Sequence, residues 1–239
     1  AQQDWSWAFG DSVLMRFPGG GPPVVDPNLR TRYAFESSSC LSDGGGNLKY
    51  YGMQDWVYRP NGSVIPGGFQ LTAGDLTNGY IMLPVWGDSL ACMFFSLAYG
   101  CGLPTLCPWV EEIRGPLGIE NISNIRNLGL YHPTHSLSEK ITAVRDAGGT
   151  GWWVLMHGGE DNSFIRFKVD GNHVSPLSIQ AIGSAYTNQP LNPYYPIGEM
   201  CFSPLGDKLL AVTMTGIIDV FEFDRCSGQL SNWIPLGIP

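Results

Sequence analysis

The feature that most constrains this chain is a succession of short apolar runs, each rich in aromatic and β-branched residues and each closed by a turn residue. They fall at 12–17, 48–52, 56–58, 80–84, 91–99, 141–145, 152–157, 164–169, 200–203, 209–213 and 218–223. Runs of this length and composition are strands. Helical spacing is nearly absent, and even the stretch 138–146 reads better as a turn followed by a strand. The 31 glycines and 18 prolines are spread along the 239 residues instead of gathering in a linker, so they punctuate one many-turned unit.

Set side by side, the runs disclose a repeating unit: strand, Gly-containing turn, hydrophobic strand, small turn, aromatic strand, then a Gly turn and a weak last strand. The clearest copy runs from Met200-Cys201-Phe202-Ser203-Pro204-Leu205-Gly206-Asp207 through Leu209–Val212 and Ile217–Asp224 to the turn Arg225-Cys226-Ser227-Gly228. A second runs from Ile141 through Gly148-Gly149, Trp152–Met156 and Phe164–Val169 to Asp170-Gly171-Asn172, and a third spans Ser39 to Gly62. The stretch from Tyr80 to Arg114, with Gly87-Asp88 as a hairpin turn, supplies a fourth. Ile141 and Met200 stand 59 residues apart, and Cys40 and Ile141 stand 101 apart, about two units. A four-stranded sheet cannot hide both faces alone, so such units stack radially as the blades of a β-propeller. The expectation is an all-β propeller domain over residues 1–239, built of four-stranded antiparallel blades. About four are present, near 12–70, 79–130, 139–185 and 197–239. Trp56, Trp86, Trp152, Trp153 and Phe221 are the residues expected to pack between them.

Charge narrows the partners. Thirteen basic against 21 acidic residues leave a net charge of −8, which lacks the positive field that nucleic acid or an anionic membrane requires. No run approaches the ~18 uninterrupted apolar residues of a spanning helix, so direct membrane insertion is not expected. Six cysteines (Cys40, Cys92, Cys101, Cys107, Cys201, Cys226) without a C-x-x-C motif fit an oxidising compartment better than a zinc site. Cys101 and Cys107 bracket five residues that a disulfide could close into a loop, while Cys40, Cys92 and Cys201 lie within apolar runs and also read as buried thiols. The opening Ala1-Gln2-Gln3-Asp4 reads as a mature chain after signal-peptide removal.

The stretch Phe202–Val212 resembles the blade signature of bacterial WD-like propellers, in which a Pro-x-Gly turn joins an inner strand to a hydrophobic one. Trp7-Ala8-Phe9-Gly10, Leu14-Met15-Arg16-Phe17, Ser42-Asp43 with Gly46-Asn47-Leu48 and Tyr50-Tyr51, and Glu139–Val144 followed by Trp152-Trp153-Val154 extend the likeness over nearly the whole chain. In that order they are similar to the N-terminal propeller region of large cell-surface proteins of Bacteroidetes. The resemblance implies export through the type IX secretion system, a place on the extracellular side of the outer membrane, and a larger ring of which this chain is a leading portion. It departs from the family in carrying no C-terminal sorting domain, which bears on secretion route and attachment. Asp11-Ser12-Val13 and Asp88-Ser89-Leu90 resemble the O-glycan acceptor pattern of that group, with Ser89, in its turn, the better acceptor than Ser12; both also read as ordinary turn residues.

No catalytic constellation emerges. His132-Pro133-Thr134-His135 has metal-like spacing, but no third ligand lies nearby and Pro133 breaks the helix that usually fixes such a pair. His157 ends a strand and reads as a satisfied hydrogen-bonding residue; His173, beside a turn, reads as solvated. Glu111-Glu112 and Glu160-Asp161 are neighbours whose side chains point to opposite faces of a strand. Asp43 and Asn47 flank a glycine turn without the alternating acids of a calcium loop. Gly19–Gly21 and Gly44–Gly46 lack the Lys-Ser/Thr of a phosphate loop, and no nucleophile elbow or dinucleotide fingerprint occurs.

The expected function is therefore that of a non-catalytic, secreted or cell-surface module without cofactor or metal, binding other surface proteins, including chains that would complete the propeller. The alternative is a carbohydrate-binding adhesin using exposed aromatics such as Tyr131, Tyr194 and Tyr195. Less favoured is a polysaccharide-active enzyme, which would need acids clustered along the channel.

Overall fold

The computed structural model describes residues 6–9, 13–17, 21–26, 38–53, 56–65, 76, 78–88, 91–99, 106–114, 121–127, 137–171, 173–186 and 197–237. Among them there is no helix; every regular element is a strand. The chain divides into two compact units, Ala1–Ala98 with Pro108–Leu128, and Tyr99–Cys107 with Gly129–Pro239.

The first unit holds three antiparallel sheets. One joins β1 (Ser6–Phe9), β2 (Val13–Arg16) and β3 (Val24–Asp26); the next joins β4 (Ser38–Ser42), β5 (Leu48–Met53) and β6 (Trp56–Tyr58). The third is a four-stranded meander of β7 (Tyr80–Pro84), β8 (Ala91–Tyr99), β9 (Leu106–Arg114) and β10 (Asn121–Asn127). The interval 12–70 thus contains strands of two three-stranded sheets. Their apolar faces meet in a core of Leu14, Leu48, Tyr51, Met53 and Tyr58, against which Cys40, Trp56 and Val64 pack. The Cys40 thiol donates to Ser6 O at 2.7 Å and Ser6 Oγ donates to Gly46 O at 3.1 Å, tying the first sheet to the second.

The second unit holds two sheets. The first contains β11 (Leu137–Arg145), β12 (Gly151–Gly158) and β13 (Ser163–Asp170), with β14 (His173–Val174) and β15 (Ser178–Ala181) both pairing β13. The fourth blade position is therefore filled by two pieces broken around Ser175-Pro176, because proline cannot donate to a ladder. The second is the meander β16 (Gly198–Phe202), β17 (Lys208–Thr213), β18 (Ile218–Asp224) and β19 (Gln229–Pro235). Sequential antiparallel meanders of this kind are the units from which propeller blades are built. Ile141 and Met200, the matched positions of the repeat, lie on β11 and β16, the first strands of the two sheets.

Between these two sheets Leu155, Phe164, Met200, Leu209, Ala211, Phe221, Phe223 and Leu230 form one core, with Trp153 and Val144 packed on it. Phe164 and Phe221 meet edge to face at 5.1 Å, a geometry that matches the positive ring edge to the negative face. Polar groups fasten the same junction. Gln180 donates to Leu230 O at 2.6 Å and accepts from Leu230 N at 3.1 Å, standing in for a missing strand neighbour. Arg225 donates to Arg145 O, Asp146 O and Leu205 O at 2.9, 2.8 and 3.1 Å.

Phe221 is buried and Trp56 and Trp153 are half-buried against their cores, in line with the sequence expectation. Trp152 is half-buried beneath the Arg145 guanidinium, 4.2 Å from its ring. Trp86 corrects it: the indole stands 59% exposed because it occupies the Val85–Asp88 hairpin turn, off any sheet face. Cys201 is likewise exposed and not a buried thiol, since in β16 the inward positions are Gly198 and Met200. Cys92 is buried and Cys40 half-buried.

Candidate binding cleft

On β18 the burial alternates, and Asp219, Phe221 and Phe223 form the inward row. One of these three is a carboxylate, and a buried carboxylate must be compensated. Compensation comes from two segments. Ser184, in the loop after β15, donates its backbone N–H to Asp219 Oδ2 at 2.9 Å and its hydroxyl to Oδ1 at 3.0 Å. From β19, Trp233 donates Nε1–H to Oδ1 at 2.9 Å. Asp219 pairs with Pro235 across the ladder, so Trp233, two residues away, lies diagonally beside it on the same face.

A bulge sharpens this placement. Between Val220–Ile234 and Glu222–Ser231 the edge strand holds one extra residue, and Asn232 takes φ +49° there, its amide donating to Glu222 at 2.6 Å. Bulges re-aim side chains at sheet edges. The result is an open cleft of about 440 Å³ lined by Ser184, Ile217, Ile218, Asp219, Trp233, Pro235 and Gly237. Asp219 is only 2% exposed while Trp233 is 42% exposed, so the indole forms a wall and the carboxylate sits at the base.

Deeper in the same unit lies a second polar group. Lys140 is fully buried, with Nζ 4.0 Å from the centre of the Tyr186 ring and without a hydrogen-bond partner among the described residues. Burial pulls its pKa down to about 7 against the attraction of Glu199 and Asp219. Tyr186 stacks at 3.9 Å on His157, whose Nδ1 donates to Gly158 O at 2.6 Å. Burial drives His157 down to about 3, so it is neutral. Its hydrogen bond is as the sequence suggests; its full burial is added by the structure.

Four other aspartates serve their own turns. Asp43 accepts from Gly45 N and Asn47 N and is held below the ordinary carboxylate range chiefly by the Asn47 backbone; the segment is a turn, as read. Asp224 accepts from Ser227 Oγ at 2.6 Å and Cys226 N at 2.8 Å, while Asp207 accepts from Ser203 Oγ at 2.7 Å. Asp146 accepts from Gly151 N at 3.1 Å and pairs with Lys168 at 2.9 Å. Among the described residues no three His, Cys, Asp or Glu side chains converge as metal ligands. The cleft offers one carboxylate, one hydroxyl and one indole.

Of the other residues singled out from the sequence, Gly87-Asp88 does form the β7–β8 turn, and His173 and Glu160 are exposed. Ser12, Ser89, Cys101, Tyr131, His132, His135, Tyr194 and Tyr195, and the side chains of Cys107, Glu111 and Glu112, lie outside the described residues. Sequence reasoning missed Ser184, Asp219, Trp233 and Lys140. The first three come from separate segments, but Asp219 left a signal: it is in phase with Phe221 and Phe223, where a solvated acid would be out of phase.

The chain is an all-β protein of the β-propeller class, on the blade-type meanders just described. No family model and no curated protein sequence matches it. Among solved structures it is similar to the periplasmic gluconolactonase PpgL of Pseudomonas aeruginosa, at 15% identity and a TM-score of 0.42 over 93% of this chain and 76% of that one. It is also similar to the β-propeller domain of Cps50 (Swd1) from Myceliophteria thermophila, at 14% identity and a TM-score of 0.47 over 98% and 72%.

Proposed function

We propose that the chain is a non-catalytic interaction module, exported and presented outside the cell, that engages a protein partner through the cleft of Asp219 and Trp233. One observation carries the reading: the cleft joins an exposed aromatic wall to a single pre-organised carboxylate, whereas Asp43, Asp146, Asp207 and Asp224 are spent on turns. A recognition site needs a few well-placed polar groups in an apolar surround. Hydrolysis of a glycoside commonly needs two carboxylates flanking the bond. Export is supported by cysteine usage, six residues without a C-x-x-C pair, and by the resemblance to Bacteroidetes surface proteins. In this reading a Cys101–Cys107 bridge and a glycan on Ser89 belong to the exported form, and further chain completes the ring.

A second reading is favoured by Trp233 itself, because an exposed indole beside a carboxylate also suits a sugar ring. The test is to present wild-type protein and Trp233→Ala to peptide and glycan arrays and to assay turnover on lactone, glycan and peptide substrates. The expected result is peptide retention by the wild type, loss in Trp233→Ala, and no turnover. Glycan retention alone would establish the second reading, and turnover would overturn the module.

A further inference from the structure

We infer that the cleft receives a basic side chain, an arginine or lysine, from the partner protein; this rests on the interaction reading and names its chemistry. Asp219 brings a carboxylate to the cleft base, where among the described residues every donor that meets it is neutral: the Ser184 N–H, the Ser184 hydroxyl and the Trp233 indole N–H. Three donors organise the group without cancelling its charge. Two of them converge on Oδ1 and one on Oδ2, which leaves acceptor capacity on Oδ2 for one more donor.

The rest of the lining selects what brings that donor. Ile217, Ile218 and Pro235 give apolar walls, which suit the methylene stem of a long basic side chain. Trp233 offers a half-exposed indole to the head group, and a cation over an aromatic face is attracted to it. A charged head on a buried carboxylate gains more than a neutral hydroxyl does, because charge-assisted bonds are roughly twice as strong. The whole chain, at net charge −8, draws positive partners toward it.

The experiment titrates full-length protein with N-acetyl-arginine methylamide, following the Trp233 indole N–H signal, assigned by its loss in Trp233→Phe. N-acetyl-citrulline methylamide, isosteric but neutral, and methyl glycosides are run beside it. The expected outcome is a saturable Trp233 shift with the arginine probe, an affinity about tenfold lower or worse with citrulline, and a similar loss in Asp219→Asn. Should Asp219→Asn fail to fold, ionic strength replaces it: the arginine shift must weaken as salt rises to about 0.5 M. Equal affinity for arginine and citrulline, or a salt-independent shift, overturns the inference. A Trp233 shift with glycosides alone overturns it in favour of a sugar. An unmoved Trp233 alongside peptides retained on the array removes the basic side chain while leaving the interaction module standing.

Discussion

Arg225 joins two sheets through backbone carbonyls alone. Its three donated bonds, to Arg145 O, Asp146 O and Leu205 O, reach both the β11–β12 turn and the β16–β17 turn. Its own carbonyl accepts from Ala147 N at 3.1 Å and from Trp153 Nε1 at 2.9 Å. A planar guanidinium can serve three carbonyls because it carries five donors in a fixed fork, which an ammonium does not. Removing it leaves half-buried carbonyls to find water. Arg225→Ala is therefore expected to destabilise the Gly129–Pro239 unit by about 2–4 kcal/mol. Arg225→Lys should recover less than half of that loss, read by urea denaturation monitored at the tryptophans. Full recovery by lysine would mean that charge, and not the fork, does the fastening.

At the scale of the element, the turn after β18 shows how sequence and packing are joined. Asp224 caps the turn, Gly228 N donates back to Asp224 O at 2.7 Å, and Gly228 adopts φ +72°. A Cβ there would lie 2.7–2.8 Å from three atoms of the Trp153 indole, so the glycine is required twice, for the backbone and for the neighbouring blade. Gly171 has a similar φ of +59° but nothing within 4 Å. Gly228→Ala should then cost about 2–4 kcal/mol and Gly171→Ala about 1 kcal/mol, the left-handed penalty alone. Near-ultraviolet circular dichroism of the Trp153 environment should change only in the first. The same elements explain what the sequence could disclose. Strands 56–58, 80–84 and 91–99 were readable to the residue, because apolar runs end abruptly at turn residues. β10, Asn-Ile-Ser-Asn-Ile-Arg-Asn, and β15, Ser-Ile-Gln-Ala, carry no such signal, since their strand geometry is supplied by pairing with β9 and β13. Lys140 was hidden for a different reason. The ladder of β11 shifts register between Leu137 and Ile141, so burial there loses its period of two and a lysine inside cannot be told from one outside.

For the molecule as a whole, that lysine makes stability depend on pH in a window above those of the carboxylates and of His157. The unfolded chain holds the Lys140 proton up to its ordinary value of 10.5, whereas burial lowers the folded value to about 7. Between those limits the unfolded state binds more protons, so stability rises with pH, is complete above 10.5 and is lost as pH falls through about 7. His157 works in the same direction at lower pH, its folded value of about 3 against 6.5 making stability fall between 6.5 and 3, where carboxylates also titrate. Cysteine thiols also titrate in this range, so the lysine is read as the difference between two proteins: between about pH 7 and 9 the wild-type unfolding free energy should rise by about 2–3 kcal/mol more than that of a variant lacking the amine, each pH unit being worth about 1.4. Lys140→Met keeps the stem over Tyr186 and deletes the amine, so it should flatten that rise and raise stability at pH 7. Denaturant titrations of both proteins at about pH 7, 8 and 9 make the comparison. A methionine variant that keeps the wild-type slope would show that the proton belongs elsewhere, and that the amine beneath the Asp219 cleft stays fully charged beside it.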